Sequence, residues 1–123
     1  MLFRTMTEGM EVFSMQNNTI KSEYCPRLMG AIIRDKRKDA HMNQSEASGY
    51  AGIARTHLAM IERGKKCATV DTLWKIASAL NVTLSSLIQQ VETTIDSLPG
   101  KDFDKEIDDV IAQMEHPNKK KDS

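Results

Sequence analysis

The stretch that decides the fold of this 123-residue chain is Gln44–Arg63, QSEASGYAGIARTHLAMIER. It predicts two short helices joined by a tight turn. Ala47, Ser48 and Ala51 are small enough for two helix backbones to approach each other closely, and Gly52 supplies the left-handed conformation that ends the first helix. A glycine turn between close-packed helices sets a large angle between them, so the second helix is expected to project from its neighbours.

This second helix has one side for the core and one for solvent. Leu58 and Ile61 are spaced as anchors on the buried side. The outward side carries Arg55, Thr56, Ala59, Met60 and Arg63. A helix presented in this way fits the major groove of DNA, with its N-terminal residues on base edges.

Helical spacing recurs along the rest of the chain, and no segment alternates apolar and polar residues as a half-buried strand does. Pro26 suits the first position of an opening helix. Asn43 followed by Glu46 predicts a capping box at the start of the next one. Further helix starts are indicated at Thr69 and Thr83. We therefore expect an all-α domain of five short helices over residues 27–92.

Charge is distributed unevenly, although the net charge of the chain is zero. Residues 27–66 hold nine basic and four acidic side chains, a net charge of +5. Residues 67–118 hold three basic and nine acidic ones, a net charge of −6. A basic segment of this kind favours an anionic partner, most often nucleic acid, although a solvated basic helix face is the plain alternative.

Several classes of protein do not fit the sequence. No apolar run is long enough to cross a bilayer and no signal-peptide pattern opens the chain, so we expect a cytoplasmic protein that does not enter a membrane. Cys25, Cys67 and the three histidines are scattered, which indicates no disulfide, metal site or cofactor. No catalytic constellation or phosphate-binding loop is evident, so an enzyme is not expected.

At the central stretch the sequence resembles the helix-turn-helix proteins of the phage-repressor and Cro class, the XRE-type regulators. The resemblance covers residues 28–91 and is carried by three blocks: Asn43–Glu46, Ile61–Lys66, and Thr72–Ala77 leading into Ala79–Val82. The stretch Arg55–Leu58 is also similar to restriction–modification controller proteins. The resemblance implies a five-helix, repressor-like DNA-binding domain that acts on double-stranded DNA.

It also implies which residues would meet the bases. Arg55 and Thr56 would reach base edges, with Arg55 bidentate to a guanine. Met60 would contact a thymine methyl group. His57 would contact a phosphate when protonated or, equally, pack as a half-buried side chain.

A second group of residues would hold the DNA backbone. Gln44, at the start of its helix, would bind a phosphate, assisted by the exposed N–H groups there. Lys65, Lys66, Asn43 and Arg37 would touch the backbone as well. Arg37 also matches a structural ion pair of the family with Glu62, so its role stays open between the two.

Ser48 replaces the usual alanine of the family, and two further positions depart from the family pattern. Ala54 stands where a Ser or Thr usually caps the third helix, at a cost of about 1 kcal/mol. Gly49 lies inside the second helix, where glycine costs up to about 1 kcal/mol relative to alanine. Both departures concern stability more than fold.

Outside the domain, residues 93–116 predict a C-terminal amphipathic helix or helical hairpin. A heptad seam precedes Pro99-Gly100 and a second apolar face follows it: Leu84, Ile88, Val91, Ile95 and Leu98, then Phe103, Ile107, Val110 and Met114. We favour a dimer interface, with Trp74 adding to it or lying in the core; packing on the domain and a frayed tail are the alternatives. Residues 1–26 are expected to be a weakly structured extension, and residues 117–123 a disordered tail.

The function expected from these features is sequence-specific transcriptional regulation, by a homodimeric repressor or autoregulator that reads an inverted repeat in the major groove. The alternative is an antitoxin-like, protein-binding module. In that case the acidic helix within residues 101–115 would bind a partner protein, and the DNA-binding domain would serve autoregulation.

Overall fold

The computed structural model describes residues 11–115, with side chains from Tyr24 onward. This part of the chain is helical and contains no β-strand, which confirms the all-α prediction. Its helices are α1 (Glu11–Asp39), α2 (Gln44–Ala51), α3 (Arg55–Glu62), α4 (Val70–Ala79), α5 (Leu84–Ser97) and α6 (Phe103–Glu115). The predictions for residues 1–10 and for the tail 117–123 lie outside the described residues.

The first helix begins earlier than the sequence predicts. α1 starts at Glu11 and passes through Pro26, so the prediction of a weakly structured segment up to residue 26 is wrong for residues 11–26. Proline removes one N–H from the helix ladder, which makes position 26 look like a start. The turn before it is stabilised by packing, because Tyr24 and Cys25 lie against the core.

The core is built where α1 meets the other helices. α1 packs against α3, α5 and α6, while α2 packs against α3 and α4, and α4 against α5. The fully buried large side chains come from five of these helices: Leu28, Ile32, Ile33, Leu58, Ile61, Ile76, Leu87 and Ile107. The long first helix therefore packs against α3 and fixes its position in the fold.

The predicted corner between α2 and α3 is confirmed. Gly52 ends α2 with φ 74° and ψ 33°, and its N–H donates to the Gly49 carbonyl. Ala47, Ser48 and Ala51 are buried where the helices approach. No side chain caps α3, because Ala54 stands at its N-cap.

The start signals of α4 and α5 are confirmed as well. The Thr69 side chain accepts from the Thr72 N–H, and the Thr83 side chain accepts from the Ser86 N–H, both at 3.1 Å. α5 continues to Ser97, so the domain boundary predicted between residues 92 and 93 falls inside this helix.

The C-terminal helices form a hairpin whose apolar side is covered by the same chain. Ile107 is fully buried, and Val110 and Met114 pack against the core. The prediction that this hairpin supplies the dimer interface is therefore wrong for the apolar side of α6, which packs on α1. Ile88 of the predicted seam on α5 is 42% exposed, so a dimer contact there stays a prediction. Binding of a partner protein through residues 101–115, now limited to the outward acidic side, stays a prediction.

Within residues 11–115, none of the helices combines the length and apolar character that a bilayer crossing requires.

Candidate nucleic-acid interface

The N-terminal half of α3 presents polar side chains to solvent. Arg55 and Thr56 are exposed in its first turn, and Met60 follows one turn later with 37% of its surface exposed. Leu58 and Ile61 are buried on the opposite side. The structure thus brings three of the predicted base-reading residues onto one outward face.

Gln44 links this face to α2. Its Nε2 donates to Glu62 Oε1 at 3.0 Å, and its Oε1 accepts from Arg55 Nη1 at 3.4 Å. Gln44 is the first residue of α2, as predicted from the sequence, and its side chain is half-buried. Gln44 therefore orients Arg55 while lying at a helix N-terminus, where backbone N–H groups favour an anion.

The prediction that Arg37 contacts the DNA backbone is wrong. Arg37 is only 8% exposed, and each of its three guanidinium nitrogens donates a hydrogen bond inside the protein. Nε and Nη2 donate to the Glu62 carboxylate at 2.7 and 2.9 Å, and Nη1 donates to the Met42 carbonyl at 2.9 Å. The alternative role, an ion pair tying α1 to α3, is the one that the structure shows.

Asn43 forms the predicted capping box. Its Oδ1 accepts from the Glu46 N–H at 2.8 Å, and its own N–H donates to Glu46 Oε1 at 2.9 Å. Because phosphate oxygens accept hydrogen bonds, a phosphate contact by this exposed side chain would use the Nδ2 hydrogens, while Oδ1 serves the cap.

A basic turn follows α3. Gly64 takes a left-handed conformation with φ 71°, and the Lys65 N–H closes the turn on the Met60 carbonyl at 3.0 Å. Arg63, Lys65 and Lys66 are all exposed around this turn. They form a positive rim beside the outward face of α3, which suits contacts to a phosphate backbone.

His57 is half-buried on α3, so the structure keeps both of its predicted roles open.

A basic cleft lies behind this rim, where α1, the end of α3 and α6 meet. Its basic lining residues are Arg27, Arg34, Lys38, Arg63 and Lys65, and its acidic ones are Asp35, Glu62 and Glu115. Burial, followed by the charge of Asp39, raises the pKa of Asp35. This cleft is not evident from the sequence, because it is assembled from segments far apart in the chain.

Two aromatic side chains are exposed whose positions are not predicted from the sequence: the sequence leaves Trp74 open between the dimer interface and the core, and it makes no prediction for Tyr50. Tyr50 on α2 is 72% exposed, and Trp74 on α4 is 63% exposed, which excludes the core role considered for Trp74. Trp74 borders a shallow groove with Val82 and Leu84. A helical projection of α2 locates Tyr50, since the buried positions 47, 48 and 51 lie on the other side.

Known proteins share this architecture. The helix-turn-helix family profile matches residues 33–87. The chain is 41% identical over 68 residues to the "ImmF control region 10 kDa protein" of Bacillus phage phi105, covering 52% of this chain and 76% of that protein. It is 30% identical over 91 residues to the "Immunity repressor protein" of the same phage, covering 74% and 62% respectively.

A solved structure agrees with the second predicted resemblance. The restriction–modification controller protein C.AhdI of Aeromonas hydrophila superposes with a TM-score of 0.50 at 22% identity, covering 50% of this chain and 94% of the controller. At that identity the likeness concerns the fold. The family profile and the 41% identical phage relative show that the chain belongs to the XRE-type, phage-repressor-like helix-turn-helix family.

Proposed function

We propose that this protein is a sequence-specific transcriptional regulator that reads double-stranded DNA through α3. The observation that carries the proposal is the outward face of α3, where Arg55, Thr56 and Met60 are exposed on a helix anchored from behind. An α-helix fits the major groove, whose base edges distinguish all four base pairs. The family is one of DNA-binding regulators rather than enzymes, and the phage relative named as an immunity repressor favours repression.

The exposed residues divide between two tasks. Arg55 and Thr56 stand at the start of α3, which is the end of a recognition helix that meets the bases. Lys65 and Lys66 stand in the turn after it, where positive charge meets phosphates of any sequence. Gln44 and Asn43 lie at the N-terminus of α2, which would hold the backbone on the other side of the groove.

A second copy of the chain would complete the interface. The outward face of one short helix reaches few base pairs, and two-fold proteins double that number on an inverted repeat. Val70, Trp74 and Ile88 are large, apolar and exposed on α4 and α5. Exposed large apolar side chains are candidates for an interaction site, and we assign these, on the two packed helices α4 and α5, to the homodimer contact.

Selection of bound duplexes from a random DNA pool tests this function. We expect enrichment of an inverted repeat whose half-sites lie about one helical turn, roughly 10 base pairs, apart. Affinity for the enriched site should fall steeply with salt, because phosphate contacts release counterions. A pool that remains random after repeated rounds would contradict base reading by α3.

A further inference from the structure

The acidic helix α6 forms ion pairs with two arginines of α1, Arg27 and Arg34. Asp108 accepts from Arg27 Nη2, and Glu115 Oε2 accepts from Arg34 Nη1 at 2.9 Å. Asp104 Oδ1 accepts from the Tyr24 hydroxyl at 2.9 Å. Three carboxylates of α6 thus each accept a hydrogen bond from a side chain of α1.

These contacts lie next to the surface proposed to meet DNA. Arg27, Arg34 and Glu115 line the basic cleft, and the same cleft includes Arg63 and Lys65 from the end of α3. Lys65 therefore belongs both to the rim beside the recognition helix and to the cleft. The cleft thus places the rim and the guanidinium groups that α6 engages in one surface depression, in which basic side chains outnumber acidic ones.

Guanidinium groups recognise carboxylates and phosphates through the same donor geometry. A carboxylate on α6 consequently occupies the donors that a flanking DNA phosphate would use. The side chains of Arg27 and Arg34 are 37% and 39% exposed, so their ends are accessible at the cleft rather than sealed in the core. α6 carries five acidic residues and one basic residue, which also lowers the potential that approaching DNA meets.

We propose that α6 is an autoinhibitory clasp whose carboxylates stand in for DNA phosphates on Arg27 and Arg34. This inference rests on the proposed function, since it assumes that the α3 side of the molecule binds DNA. Contact of flanking phosphates with the cleft requires the guanidinium groups to exchange Asp108 and Glu115 for phosphate. Because the clasp touches no base, it weakens DNA binding whatever the sequence, including binding to non-operator DNA.

The affinity for a random-sequence duplex, measured by fluorescence anisotropy over a series of salt concentrations, tests the clasp. The variant Asp108→Asn/Glu115→Gln frees both arginines and should bind about tenfold more tightly at low salt, with a salt slope steeper by about 1–2. The matched control is Asp109→Asn/Glu92→Gln, which removes the same charge from exposed positions outside the cleft. The control should change affinity less than about twofold, because distant charges are screened.

A second substitution locates the gain. Arg34→Gln should lower affinity severalfold in the Asp108→Asn/Glu115→Gln background and have little effect in the otherwise unchanged protein. The thermal midpoints of all variants report whether they fold. Equal gains in the clasp variant and its control, or no gain in either, would overturn the clasp. The proposed function is judged separately, by whether the unchanged protein prefers its selected site over the random duplex.

Discussion

Arg37 and Glu62 form a bidentate ion pair that ties the first helix to the end of the third, with N–O distances of 2.7 and 2.9 Å. The same carboxylate accepts from Gln44 Nε2 at 3.0 Å, so one buried glutamate joins α1, α2 and α3. Gln44 in turn contacts Arg55. The orientation of the proposed base-reading side chain is thus connected to a structural pair in the interior.

Replacing one residue of this ion pair should lower the free energy of unfolding more than replacing both residues by apolar ones. Arg37→Met leaves the Glu62 carboxylate buried without its cation, and we expect a loss of about 3–5 kcal/mol in the free energy of unfolding. The double variant Arg37→Met/Glu62→Leu should recover much of that loss, because no charge remains buried. Urea denaturation of Arg37→Met, of Glu62→Leu and of the double variant measures this coupling. If the losses of the two single variants simply added up in the double variant, the prediction would be contradicted.

Gly30 and Gly49, which lie inside α1 and α2, predict opposite responses to alanine. A Cβ at Gly30 would lie 2.2 Å from the Ile61 carbonyl oxygen, whereas a Cβ at Gly49 meets nothing within 4 Å. Gly30→Ala should push α1 away from α3 and destabilise the fold by about 1–3 kcal/mol or more. Gly49→Ala should stabilise it by about 0.5–1 kcal/mol. Urea denaturation checks both, and a shift in the same direction for the two variants would be inconsistent with this packing.

The turn before α6 is closed by a carboxylate. Glu106 accepts from the backbone N–H groups of Gly100, Lys101 and Asp102 at 2.9, 3.1 and 3.1 Å. Desolvation alone raises the pKa of Glu106, but hydrogen bonds from Gly100, Asp102 and Lys101 outweigh it, so the pKa lies below its ordinary value of 4.5.

A lowered pKa in the folded state predicts how this turn responds to acid. The stabilisation is present above the ordinary pKa of Glu106 and is lost as the pH falls through the lowered value in the folded protein. Glu106→Gln should therefore melt at a lower temperature than the unchanged protein at neutral pH, and the difference should shrink below about pH 4.5. Thermal melts across this range measure it, and a difference that stays constant with pH would contradict the role of the carboxylate.

Trp74 should decide the oligomeric state. Trp74→Ala removes the largest side chain of the exposed apolar surface, and we expect the dimer dissociation constant to rise at least about tenfold, as for an interface anchor. Tyr50→Ala is the matched control, because it removes another well-exposed aromatic side chain, this one from α2. Sedimentation equilibrium distinguishes the variants. Dimers that survive Trp74→Ala as well as Tyr50→Ala would place the interface elsewhere.

Local signals made much of the fold predictable from sequence. The left-handed turn at Gly52, the capping box of Asn43 with Glu46, and the threonine caps of α4 and α5 depend on residues within a few positions of each other. The outward face of α3 followed from the spacing of Leu58 and Ile61. These features are determined by backbone conformation and helical period, which a sequence displays directly.

The errors arose where distant segments decide the outcome. Pro26 suggests a helix start, but contacts of the preceding turn with the core keep α1 continuous across it. The apolar side of α6 suggests a dimer interface, but α1 covers it within the same chain. The contacts of Asp108 and Glu115 span about 80 positions in sequence, and periodicity carries no information on such pairs.

The most direct test of the central claim is the affinity ratio between the selected DNA site and a scrambled duplex, measured for two variants at fixed salt. Arg55→Ala should reduce this ratio about 5- to 150-fold, because a base contact that contributes about 1–3 kcal/mol of discrimination is lost. Lys65→Ala should weaken binding to both duplexes alike and leave the ratio unchanged. An unchanged ratio for Arg55→Ala would contradict base reading by the first turn of α3.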